Sequence, residues 1–167
     1  MRFLIDGYNL MYAVGKGQPG EKSRARFDAA RKSFLDWLVQ SPAVLANPSA
    51  LRVVFDAQNS KRDLGSSLHR GLLVTFSFNQ TADDLIEALL SVETKPKELR
   101  VVSNDTRLQD FAKRRGSAPM TCGEFIDWLM SDGRPSSHDD SPKPDDKPKP
   151  NWVGEREYLM KAFGGSG

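Results

Sequence analysis

Apolar and polar positions alternate along this chain in two different rhythms. Phe3-Leu4-Ile5 form a short apolar run that stops at Asp6 and Gly7, which predicts a buried strand over 2–6. Residues 24–40, RARFDAARKSFLDWLVQ, set Phe27, Ala30, Phe34, Trp37 and Leu38 at helical spacing, with charges on the other face. They predict a helix, which the two prolines of SPAVLANPS then end. LRVVFD over 51–56 and GLLVTFSF over 71–78 predict a second and a third strand. Thr81 is placed to cap a helix carrying LIEALL, and the Thr-x-x-acid spacing to Asp84 has the form of a capping box. LRVVS over 99–103 predicts a fourth strand. NDTRLQDFAKRRG after it has an Asn-Asp start, a basic last turn and Gly116 as a stop. APMT makes a short fifth strand, and Thr121 with Glu124 repeats the capping-box spacing before a helix over 122–131.

Strands alternating with helices imply a three-layer α/β/α domain over 1–131 with a mostly parallel sheet. Residues 132–151, DGRPSSHDDSPKPDDKPKPN, have no apolar side chain to bury and read as a disordered Pro/Asp/Lys/Ser-rich linker. Helical periodicity returns in 152–167, where Tyr158, Leu159, Ala162 and Phe163 form an apolar face to dock on the domain or on a protein partner.

The totals narrow this picture. A chain of 167 residues suits one domain with a core and an appendage. The net charge of +2 announces no nucleic-acid binder by itself; 18 basic against 15 acidic side chains in 1–130 leave +3 there. A single cysteine, Cys122, excludes an intramolecular disulfide and a cysteine-built zinc site. Asp6 interrupts the first apolar run too early for a secretory signal, and no stretch reaches membrane-spanning length, so a reducing cytoplasm is the expected home.

Four acids then stand out. Asp6 and Asp56 end the first two strands, Asp83 opens the helix after the third, and Asp105 follows the fourth. In a parallel sheet the carboxyl ends of the strands share one edge, so these residues converge on it. Carboxylates gathered in a cleft repel one another unless a cation neutralises them. Mg²⁺ or Mn²⁺ suits such oxygen donors, and ions so held promote phosphodiester hydrolysis. Each acid also has a plainer use as a turn former or helix cap. Helical spacing sets Asp83 at the border of the stripe Ala82, Leu85, Ile86, Leu89 and Leu90, and Asp84 on the far side, so Asp83 is the cleft candidate.

LIDGYNLMY, VVFDA, QTADDLIEAL and VVSNDTRLQDFAKRRG occur in that order. Together they resemble the YacP-like branch of the NYN domain family, relatives of the PIN-domain nucleases. The resemblance spans about residues 2–130. It implies a PIN-like strand order of 3-2-1-4-5, a metal-dependent endoribonuclease activity, Asp6, Asp56, Asp83 and Asp105 as metal-site acids, and Asn9 as the signature asparagine. Cleavage is then expected to leave 5′-phosphate and 3′-hydroxyl ends. The substrate would be RNA, free or in a ribonucleoprotein particle.

RNA is held by its phosphates. The candidates are Lys61, Arg62, Arg70 and Arg107, with Arg24, Arg26, Arg31 and Lys32 as a further cluster and Tyr8 as a ring to stack on a base. Exposed basic faces are usually only solvated, and a strand-end tyrosine is as readily buried. His69 reads as a loop residue, and His138 lies in the linker. The competing reading is a non-catalytic RNA-binding or adaptor module on the same fold. A receiver-like phosphorylation domain fits poorly, because GLLVTFSF carries no Asp and APMT no Lys. Asn9 is expected to cap the short helix after the first strand.

Overall fold

The computed structural model describes residues 1–57 and 65–133. Lys61, Arg62, the 134–151 part of the linker and the segment 152–167 lie outside them. Six strands form one sheet: β1 Arg2–Asp6, β2 Leu51–Asp56, β3 Gly65–His69, β4 Leu72–Ser77, β5 Leu99–Val102 and β6 Ala118–Met120. Their order is β3-β4-β2-β1-β5-β6. All pairings are parallel except β3 with β4. The five parallel strands thus stand in the expected sequence, and the departure is one added antiparallel strand at the edge.

That edge strand escapes the apolar pattern for a clear reason. GSSLH is exposed apart from a half-buried His69, its one large apolar residue Leu68 included, so it has no alternation to read. The turn joining it to β4 is Arg70-Gly71, with φ of +49° and +89°. Two positive-φ central residues make a type I′ hairpin, whose twist matches its strands. Arg70 is therefore a turn residue, with its guanidinium 3.8 Å from Asp36. His69 lies on the strand, not in a loop, and its Nε2 is 2.8 Å from the Asp36 carboxylate.

Helices cover both faces. On one side lie α1 Gly7–Ala13, α2 Arg24–Gln40, α3 Pro42–Ala46 and α6 Cys122–Met130; on the other lie α4 Ala82–Ser91 and α5 Thr106–Arg114. The pleat decides which residues meet which layer. Phe3 and Ile5 join the core with Leu10, Phe34, Leu38 and Phe125. Leu4 points the other way, into the cluster of Val54, Ile86, Val101 and Leu108. Asp6 follows Leu4 in this alternation, so β1 delivers it to the α4–α5 side.

The predicted capping box forms in full at α6 and in half at α4. Thr121 accepts from the Glu124 N–H at 3.1 Å, and Glu124 returns the bond to the Thr121 N–H at 2.7 Å. Thr81 accepts from the Asp84 N–H at 3.1 Å. SPAVLANPS does not only break a helix. Its prolines start α3 and a 3₁₀ turn at Pro48–Ala50, which uses their preset φ. Among the described residues, no helix is long and apolar enough to cross a membrane.

Candidate active site

The carboxyl edge of the sheet gathers three of the four acids. Asp6 ends the central strand, between β2 and β5, and is only 7% exposed. Burial, then the charge of Asp83, push its carboxyl up to about 6, with Asp105 adding to the rise. A hydrogen bond from Ser103 and the backbone N–H of Asn9 pull the other way. Although Asp6 is the N-cap residue of α1, its side chain closes no full capping hydrogen bond, so that amide offsets only part of the rise. Asp83, in the first turn of α4, is also raised, by burial and then by the charge and hydrogen-bond contact of Asp105; Arg107 opposes this. Two carboxyl groups within hydrogen-bond reach must share a proton or a cation.

Asp105 is fixed by its role as N-cap of α5, where its Oδ1 accepts from the Arg107 N–H at 2.9 Å. One residue thus caps α5 and lies beside Asp83 at the sheet edge. Asp56 stands apart. Asp6 lies opposite Val54, so Asp56 reaches one pleat repeat further out, about 7 Å along the strand. Its backbone carbonyl accepts from the Tyr8 hydroxyl at 3.2 Å.

Two residues that the sequence pattern does not flag position the cleft. Ser103, fully buried, donates to Asp6 Oδ2 at 3.3 Å and accepts from the Asp105 N–H at 3.0 Å. One hydroxyl thereby ties the end of β5 to the end of β1. Asn104 accepts from the Cys122 N–H at 2.9 Å. The only sequence signal for either is a polar Ser-Asn pair wedged between an apolar strand and the helix-opening acid.

Asn9 corrects one expectation. It lies inside α1 and caps nothing, because the helix starts directly at Gly7. Its Oδ1 instead accepts from the Asn104 N–H at 2.8 Å and from the Cys122 thiol at 3.2 Å. It joins α1, the β5–α5 connection and the start of α6 behind the acids. Gly7 is required for steric reasons, since a Cβ there would sit 2.5 Å from Phe55 Cε1 and 2.8 Å from the Val54 carbonyl oxygen.

The proposed RNA contacts are dispersed. Tyr8 packs its ring against Phe27 and Phe55, with centroids 5.0 and 4.8 Å away, which leaves it poorly placed to stack on a base. Burial pushes its phenol up to about 12, with Arg31 opposing. Arg107 is held by Glu87 at 2.8 Å and Asp84 at 3.2 Å, so it clamps α5 to α4 beside the cleft. Asp84 therefore spends its carboxylate on Arg107, and only half of its expected capping box forms. Arg31 lies over the Phe76 ring at 4.8 Å and pairs with Asp28.

Whether these acids fit a divalent cation can be judged from their chemistry. The donors are carboxylate oxygens, the buried one carries a raised proton affinity, and Asp105 raises that of Asp83. Further out, in register with Asp56, Ser77 has a buried hydroxyl with no hydrogen-bond partner among the described residues. This is the donor set of a hard ion. Among the described residues, however, no three His, Cys, Asp or Glu side chains have the spacing of a formed metal site. The set fits in kind, and side-chain reorientation would have to bring the acids together.

Ser103→Ala removes a hydrogen bond to the charged form of Asp6, so the Asp6 pKa rises further. The Asp6 carboxyl, followed by ¹³C NMR, is expected to titrate at higher pH than in the parent, by roughly one unit or less. An unmoved titration would remove Ser103 from the control of Asp6.

The family model of the YacP-like NYN domain matches residues 3–153. A search of curated proteins finds no match. Among solved structures, the fold is similar to that of Rae1 (YacP) from Bacillus subtilis, with a TM-score of 0.55 and 22% identity over 79% of this chain and 75% of that one. A tryptophan-to-leucine mutant of the same protein gives a TM-score of 0.55 and 23% identity, covering 79% of this chain and 77% of the other.

Proposed function

The chain belongs to the YacP-like NYN domain family, a nuclease-like family, and from that premise we propose that it is a metal-dependent endoribonuclease. The observation that supports this reading is that Asp6, Asp83 and Asp105 lie near enough to one another at the carboxyl edge for the charges of Asp83 and Asp105 to help raise the buried Asp6 to about 6.

Asp6, Asp83 and Asp105 would hold Mg²⁺ or Mn²⁺, with Asp56 at the outer rim. Such an ion, when bound, lowers the pKa of water and neutralises charge on phosphoryl oxygens. The chain's own residues supply the rest. Ser103 orients Asp6 and fixes the start of the Asp105 turn. Asn9 and Asn104 keep the backbone behind the acids in place. Arg107, neutralised by Asp84 and Glu87, holds α4 and α5 at a set spacing, and with them Asp83 and Asp105.

The test uses the full chain and a 5′-labelled single-stranded RNA. Cleavage with Mn²⁺ or Mg²⁺, and none in excess EDTA, is the expected result. Products are expected to carry 5′-phosphate and 3′-hydroxyl ends, and a substrate with 2′-deoxy sugars should still be cut. Products ending in 2′,3′-cyclic phosphate would overturn hydrolysis by this route. Undiminished cutting in EDTA would overturn the metal. Binding of RNA with no cleavage under any divalent ion would favour the adaptor reading.

A further inference from the structure

Between the end of α1 and the start of α2 lies a cavity of about 380 Å³ whose lining includes none of the four acids. Its floor is the segment between α1 and α2, where Gly15 and Gly17 adopt φ of +74° and +73°. At Gly17 the positive φ disfavours a side chain, and a Cβ would press on Met11 and Ala30 at 3.1 and 3.3 Å, so bare backbone lines this side. The α2 wall is Phe27 and Ala30. Gln18, Glu21 and Arg26 supply an amide, a carboxylate and a guanidinium.

The chemistry of this lining is selective. Only Phe27 offers a large apolar surface, which rules against a lipid chain. One aromatic wall with convergent amide, carboxylate and backbone groups suits a flat heterocycle whose edge carries donors and acceptors. Glu21 has one oxygen engaged by the Ser23 N–H at 2.9 Å, which holds the carboxylate in place. Arg26 is exposed and has no ion-pair partner among the described residues, whereas Arg24 and Arg31 both pair with Asp28. Its charge at the mouth of the cavity is suited to a phosphate. The volume is within the range of small-ligand sites.

Contacts also link this cavity to the acids. Phe27 packs on Tyr8 at 5.0 Å, and Tyr8, in the first turn after Asp6, bonds the Asp56 carbonyl. We propose that the cavity is a nucleotide subsite, taking one unstacked base of the RNA against Phe27 and its phosphate on Arg26. The proposal rests on the ribonuclease reading for its substrate, and names where that substrate is gripped away from the cut. A subsite of this kind selects for flexible RNA, because a paired base cannot leave its stack without cost.

The test titrates ¹⁵N-labelled full chain with each of the four nucleoside 5′-monophosphates, without metal. Amide shifts are expected to concentrate at residues 15–18, 21 and 26–30. Ala30→Leu, which fills the cavity from α2, should abolish them. Gln18→Ala, on an exposed side chain, tests the same site without crowding it. In cleavage assays both variants should raise KM for a single-stranded oligonucleotide, by roughly tenfold for Ala30→Leu, and leave kcat unchanged. Arg26→Ala should weaken monophosphates but not the parent nucleosides. Wild-type cleavage with no shifts at these residues, and an unchanged KM in Ala30→Leu, would overturn the subsite and leave the ribonuclease reading intact. Nucleotide shifts at the cavity in a chain that cuts no RNA would keep the subsite and remove the ribonuclease reading.

Discussion

Asp6→Asn is expected to lower RNA cleavage by roughly 10³-fold or more and, at the same time, to make the protein more stable at neutral pH. The two effects have one cause. Burial and the charge of Asp83 raise the Asp6 carboxyl to about 6 in the fold. Below pH 4 the folded and unfolded chains both hold this proton, and the group is neutral toward stability. As pH rises from 4 to 6 the unfolded chain releases the proton first, so stability falls. Above 6 the full penalty is present, about 3 kcal/mol for a shift of two units. Asparagine keeps the shape and removes the titration. In EDTA at pH 7.5 the variant should therefore melt several degrees higher than the parent, and the gain should shrink at pH 4.5. Mn²⁺ should raise the melting temperature of the parent and not that of the variant. A fully active Asp6→Asn, or a gain in stability that ignores pH, would sink the role given to this residue.

Gly7→Ala carries the largest expected loss of stability. Glycine at the first position of α1 is a poor helix former, so propensity alone favours alanine by about 1 kcal/mol. Packing reverses that. The new methyl would lie 2.5 Å from Phe55 Cε1 and 2.6 Å from Cδ1, and the Val54 carbonyl at 2.8 Å is backbone that cannot swing away. Phe55 is fully buried and boxed in by Tyr8, Phe34 and Phe76. Overpacking of this kind costs about 3 kcal/mol, which for a domain of this size lowers the melting temperature by roughly 10 °C. Adding Phe55→Leu should restore part of the loss, because it removes the ring and leaves the carbonyl contact. A melting temperature within a degree or two of the parent would show that α1 can slide. Since Asp6 immediately precedes Gly7, such a slide should also appear in activity.

These two residues illustrate what the chain discloses in one dimension. Asp6 is legible because an apolar run that ends on an acid is hard to explain as packing, and the face it takes follows from counting back to Leu4. Gly7 is legible as a close approach, though only the fold reveals that Phe55 and the Val54 carbonyl are what approach it. Asp83 is separable from Asp84 because the stripe through Ile86 and Leu90 has helical phase. Residues whose role depends on a partner far along the chain are not legible. Ser103 matters through Asp6, Asn104 through Cys122, and Asn9 through both of the last two. Phe27 and Ala30 read as an ordinary helix face, and the cavity exists only because the glycine segment returns beneath them. The hairpin strand at 65–69 is hidden because an exposed edge has no periodic burial.

The hydrogen bond from Ser103 to Asp6 joins residues 97 apart in sequence. A growing polypeptide therefore contains no acid cleft until β5 has been made and has paired with β1, among the slower kinds of folding event. Truncated or nascent chains that stop short of β5 carry Asp6 without Ser103 and Asp105 beside it. If the chain cuts RNA, this order of assembly keeps it inert until β5 and Asp105 have been made.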